Sequence, residues 1–100
     1  MNITIYNSAK EQLNNLLENS DDKYIRIYTR SVTMYDEAKI DLKIDDMKED
    51  DELFEVDNYK IVINKRFAMQ ISTVSISYGG LLSRDSFSVD TDFGFFDMQY

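Results

Sequence analysis

The chain has 100 residues, 11 Lys+Arg against 19 Asp+Glu for a net charge of −8, and no Cys, His, Pro or Trp. That length suits one domain, 1–100, with one modest core, and the missing cysteines and histidines exclude disulfides, thiolate nucleophiles, zinc fingers, cysteine-held clusters and the usual neutral-pH general base. The negative charge repels phosphate backbones and anionic membrane surfaces, and the hydrophobic share of 43% is that of an ordinary folded protein.

Residues 2–6 alternate apolar and polar side chains and are β-branched, which predicts a short strand with Ile3 and Ile5 facing inward. Ser8 and Glu11 form an S-x-x-E capping box, and Ala9, Leu13, Leu16 and Leu17 follow at helical spacing until Asn19-Ser20-Asp21-Asp22 ends the helix. From Lys23 the period becomes two. Ile25 and Ile27 alternate with Tyr24, Arg26 and Tyr28, and Ile40, Leu42 and Ile44 alternate with Lys39, Asp41 and Lys43, so both segments read as half-buried strands. Residues 45–55 hold seven acids and one Lys and read as a solvated connection. Leu53-Phe54-Glu55-Val56, Asp57-Asn58 and Tyr59-Lys60-Ile61-Val62-Ile63 then predict a β-hairpin on an Asx pair that tolerates positive φ. Asn64 caps a short helical turn over 65–70 with Phe67 and Ile71 inward. Val74, Ile76 and Tyr78 alternate with serines in a strand, Gly79-Gly80 turns the chain, and residues 83–89 form the last strand, carrying Phe87 and Val89. The pattern is all-β dominated, a β-rich α+β chain with mostly antiparallel strands.

The same residues, in this order, resemble a known family. Ile3-Thr4-Ile5 and Ala9 ahead of a leucine-striped helix, Ile25-Arg26-Ile27, Ile40-Asp41-Leu42-Lys43-Ile44-Asp45, and the acidic stretch with Phe54 are followed by Tyr59-Lys60-Ile61-Val62-Ile63, Ser75-Ile76-Ser77-Tyr78, Leu81-Leu82-Ser83 and Phe87. Over nearly its whole length the chain looks like the HesB-like, or A-type, iron-sulfur cluster assembly domain. The Ile25-Arg26-Ile27 segment is similar to that family's L-R-L strand, 40–45 to its Y-x-L-x-F-D strand, and 59–63 to its G-x-x-V-V-V/I-D segment. The resemblance implies mixed or antiparallel sheets in a sandwich or pseudobarrel, with one amino-terminal helix and a short second helix. It also implies a cysteine near Met34 or Tyr35 and a carboxy-terminal pair around Phe93-Gly94-Phe95-Phe96, and the sequence has none of the three. The resemblance therefore carries over a scaffold and not thiolate ligation of a cluster.

Other chemistry is thin. The acidic run lacks the D-x-D-x-D-G order and the glycine of a Ca²⁺ loop, and no spacing brings two of its carboxylates together as general acid and base. Tyr35, Asp36 and Glu37, where the resemblance puts the first cysteine, are oxygen-donor candidates for ferric iron. Phe93, Phe95, Phe96, Met98 and Tyr100 place five large apolar side chains in eight residues, an expected contact surface for the chain's own sheet, a second copy or another protein. The basic residues are scattered among acids, so no nucleic-acid surface emerges, and no stretch reaches the roughly 18 apolar residues of a membrane span. The sequence-level expectation is a cytoplasmic, non-enzymatic protein with no cofactor, no nucleic-acid or membrane partner, and a homodimer or protein contact through the tail. Two other readings stay open, an assembly accessory factor that binds iron through oxygen ligands or a cysteine-bearing partner, and an acidic divalent-metal-binding domain.

Overall fold

The computed structural model describes residues 1–31, 38–80 and 85–92. Its elements run β1 (Asn2–Ile5), α1 (Asn7–Glu18), β2 (Tyr24–Ser31), β3 (Ala38–Asp45), β4 (Asp51–Val56), β5 (Tyr59–Asn64), α2 (Lys65–Ala68), β6 (Thr73–Tyr78) and β7 (Phe87–Thr91). They form a three-stranded sheet ordered β1-β6-β7 and a four-stranded sheet ordered β3-β2-β5-β4.

Apolar alternation decides which face each strand buries. Ile25 and Ile27 on β2 pair with Ile61 and Ile63 on β5, and all four are at most 1% exposed. Val74 and Ile76 on β6 and Ile5 on β1 meet them from the other sheet, and Ala9 and Leu13 of α1 complete a shared core. β7 lies alongside β3 at one seam and β1 approaches β4 at the other, while the two sheets stay open and unpaired with each other. Mixed sheets facing each other across one core fit the sandwich or pseudobarrel that the resemblance implies.

Two pairings are parallel, β1 with β6 and β2 with β5. Alternation has the same period in either direction, so the sequence pattern is silent on this point. The Asp57-Asn58 hairpin forms as expected, with φ of 51° and 70° at the turn. Asn64 caps α2 by accepting a hydrogen bond from the Arg66 amide at 3.0 Å. Gly79 and Gly80 both adopt positive φ. Across the following turn Tyr78 and Phe87 pair edge to face, with ring centroids 4.9 Å apart.

Four local expectations are corrected. α1 starts at Asn7 with Tyr6 as its N-cap residue and no side-chain cap, because the Ser8 hydroxyl accepts the Tyr78 amide of β6 instead, at 3.1 Å. The serine is used to fasten the helix to the sheet and so cannot serve a capping box. Leu16 is 40% exposed, since the shared core takes only Ala9 and Leu13 fully and Leu17 in part. β4 begins at Asp51, inside the acidic run, and β7 spans Phe87–Thr91 with Asp85 and Ser86 still in the turn, so the described part of the last strand starts later than the sequence suggests.

Candidate functional site

The side of the four-stranded sheet away from the shared core carries most of its charged side chains. Register places Arg26 on β2 beside Lys43 on β3 and Val62 on β5, with Leu53 on β4 next in the row. Lys43 Nζ stands 5.0 Å from the Tyr28 ring centroid, and Lys60 Nζ 5.9 Å from that of Tyr24. Arg30 and Asp41 pair at 3.0 Å.

Arg26 is the centre of this face. Because the strand order is β3-β2-β5-β4, the connection from β3 to β4 must pass both central strands, and it does so in five residues, 46–50. The guanidinium holds both ends of that connection. Its Nε donates to Asp45 Oδ2 at 2.8 Å, its Nη1 to Asp51 Oδ1 at 2.7 Å, and its Nη2 to the Asp46 carbonyl at 2.9 Å and to Asp51 Oδ2. Asp51 Oδ2 also accepts the Lys48 amide at 2.7 Å. The Asp51 side chain is only 2% exposed and that of Arg26 11%. Val62, on the same face beneath, is fully buried.

The electrostatics follow from this geometry. The hydrogen bond from Arg26, opposed by burial, holds the Asp51 carboxyl below its usual range. Asp45 is lowered to about 2, first by the Asp46 amide and then by Arg26. The Arg26 pKa rises further, chiefly through its bond to Asp51. The reading of residues 45–55 as a purely solvated connection is thus corrected. Two of its acids are latched to an arginine 19 and 25 residues earlier in the chain. The signal available in sequence was an arginine between two core isoleucines, a charge on the uncovered face of a central strand.

This latch is a structural device and not a cation site. Among the described residues no three His, Cys, Asp or Glu side chains converge to hold a metal ion. The acids that do converge meet a guanidinium, which already neutralises them. An open cleft of about 330 Å³ lies beside the latch, lined by Asp50, Asn64, Lys65 and Arg66. Two of its polar groups are used internally: Asn64 Oδ1 caps α2, and the Asp50 carbonyl accepts the Lys65 amide at 2.8 Å. A second anchor sits at the end of β7, where the Asp92 carboxylate accepts the Ser72 amide at 2.8 Å, the Thr73 amide at 3.1 Å and the Ser72 hydroxyl. Those bonds lower its pKa to about 2. Tyr35, Asp36 and Glu37, and Phe93, Phe95, Phe96, Met98 and Tyr100, all lie outside the described residues.

The architecture is shared with known structures. Escherichia coli SufA, involved in biosynthesis of iron-sulfur clusters, superposes with a TM-score of 0.70 at 15% identity, covering 89% of this chain and 79% of SufA. IscA, determined with the [2Fe-2S] cluster, gives a TM-score of 0.68 at 19% identity, covering 90% of this chain and 82% of IscA. The fold is the HesB-like fold. No protein-family model and no curated protein sequence matches the chain. On this scaffold the donor set does not suit an iron-sulfur cluster. The sequence contains neither thiolate nor imidazole, the side chains that hold such clusters. Among the described residues no helix is long and apolar enough to cross a membrane.

Proposed function

We propose that this chain is a non-enzymatic protein of HesB-like fold that ligates no iron-sulfur cluster of its own and works through protein contacts made by its aromatic tail, residues 93–100. The observation that supports this reading is a SufA-like and IscA-like fold in a sequence without a single cysteine or histidine. Such a scaffold keeps its shape while the soft donors that clusters require are missing. The tail supplies five large apolar side chains suited to an interface anchor.

Anaerobic reconstitution of the purified chain with ferrous iron and sulfide, followed by desalting, visible absorption and iron counting, tests the first half. The expected result is no retained chromophore and iron far below one atom per chain. A stable stoichiometric chromophore overturns the reading. So does a visible phenolate-to-iron band that forms when ferric iron is added to a separate sample of the chain and disappears in Tyr35→Phe, which would instead establish iron binding through oxygen ligands.

A further inference from the structure

β4 is an outer strand of its sheet, and its register with β5 fixes which of its backbone groups face outward. Opposite residues of an antiparallel pair alternate between hydrogen-bonded and non-hydrogen-bonded pairs. The Lys65 amide donates to the Asp50 carbonyl at 2.8 Å, so 50 and 65 form a bonded pair. Counted in twos along the register, Glu52 with Ile63, Phe54 with Ile61 and Val56 with Tyr59 are bonded pairs as well. Asp51, Leu53 and Glu55 therefore turn their N–H and C=O groups away from β5. The Asp51 amide is taken by the Lys48 carbonyl at 3.1 Å. The outward groups of Leu53 and Glu55 have no backbone partner among the described residues, since β1 approaches β4 from the other sheet but pairs only with β6.

The side chains of this edge combine accessible apolar surface with unneutralised charge. Alternation puts Leu53 and Glu55 on one face of β4 and Glu52 and Phe54 on the other, so each face presents one apolar group and one carboxylate. Leu53 is 37% exposed and Phe54 is half-buried. Glu49, Asp50, Glu52 and Glu55 are all exposed, and among the described residues none of their carboxylates has an ion pair or a hydrogen bond, unlike Asp45 and Asp51 on Arg26. Lys60 stands opposite Glu55 in register, but its ammonium turns to the Tyr24 ring on β2, away from the edge. Lys65 and Arg66 lie beyond the Asn64 end of the hairpin, beside Asp50.

We infer that the outer edge of β4 receives an extended segment of another protein, rich in lysine or arginine, which adds to the sheet as a further strand. Its main chain pairs with the free N–H and C=O groups of Leu53 and Glu55, and its cations meet Glu52 on one face and Glu55 on the other. Charge decides the occupant. A second copy paired edge to edge would set the same carboxylates against each other, whereas a basic strand neutralises them. This contact is additional to any made by the tail, and uses none of its residues.

Titrating the full-length, isotope-labelled chain at low salt with a capped peptide of alternating lysine and valine tests the assignment. In the free chain the Leu53 and Glu55 amides should exchange with solvent faster than those of Phe54 and Val56, which β5 holds. The peptide should shift the Leu53 and Glu55 amide signals and slow their exchange. Glu52→Gln combined with Glu55→Gln should weaken binding about fivefold. A fully N-methylated version of the peptide keeps the charge but cannot pair, and should leave exchange at both amides unchanged. Equal binding and protection by that version overturns the proposal, as does protection confined to other strands. If neither amide responds while the Ile61 and Ile76 signals report an intact core, the carboxylates only guard the edge and the proposal fails. Slow exchange of both amides in the free chain also overturns it: at every dilution it means that the chain covers its own edge, and only at high concentration it assigns the edge to a second copy.

Discussion

At the scale of single residues, Arg26 carries the largest interaction. Replacing it with Met leaves Asp51 buried without its partner, which should cost about 3–5 kcal/mol in urea unfolding. Arg26→Met combined with Asp51→Leu should recover much of that loss, because two apolar groups of similar size need no desolvated charge. Equal or additive losses in the double variant would contradict the latch. The pH dependence has a definite sign. Asp45 and Asp51 both have folded-state pKa values below the ordinary 3.8, so their contribution is present above about pH 4 and is lost as pH falls, for Asp45 as pH falls toward about 2. The thermal midpoint of the native chain should therefore drop between pH 4 and pH 2, and by less in the double variant. Alternation in Ile25-Arg26-Ile27 was enough to put Arg26 on the side away from the core. It could not reveal the carboxylates that meet it, since they arrive from the far ends of a crossover. Ser8 teaches the same lesson in reverse: its spacing to Glu11 spells a local cap, and a tertiary acceptor role displaced it.

Elements governed by local chemistry were legible. Asp57 and Asn58 both take the left-handed conformation that a two-residue hairpin needs, and Asx residues accept it more readily than others. Asn58→Ala should destabilise the chain by about 1–2 kcal/mol, while Asn58→Gly should not, as read from urea midpoints. A comparable loss for both would mean that the Asn58 side chain, and not its backbone conformation, matters. Asn64 was legible for the same reason, because its side chain reaches an amide two residues away. The start of β4 was not. An aspartate-rich segment argues against a strand by propensity, and only the pairing of Asp51 with Asn64 and its bond to Arg26 reveals the extended conformation.

For the whole molecule, the sequence supported a β-rich fold and its similarity to the HesB-like family, but not the direction of every pairing. β1 with β6 and β2 with β5 are parallel, each pair being separated in the chain by other elements, and a period of two looks identical in both directions. The shared core makes a prediction that two independent sheets would not. Ile61→Ala in one sheet and Ile76→Ala in the other should each cost about 2–5 kcal/mol and shift one common transition, seen alike by far-UV and near-UV circular dichroism. Separate transitions would show that the sheets do not stabilise each other. Tyr35, Asp36 and Glu37 were singled out by resemblance and the tail by its run of large apolar side chains, and those positions lie outside the described residues.

The crossover of residues 46–50 also bears on how the chain assembles. The four-stranded sheet consists of two hairpins, β2–β3 and β4–β5, each closing quickly on neighbouring residues, joined by the non-local parallel pairing of β2 with β5. Docking the second hairpin is the step with the long loop to close, and Arg26 gains Asp51 only when that docking is complete. Disrupting the latch should therefore hasten unfolding far more than it slows folding, making Arg26 a determinant of how long the folded state lasts.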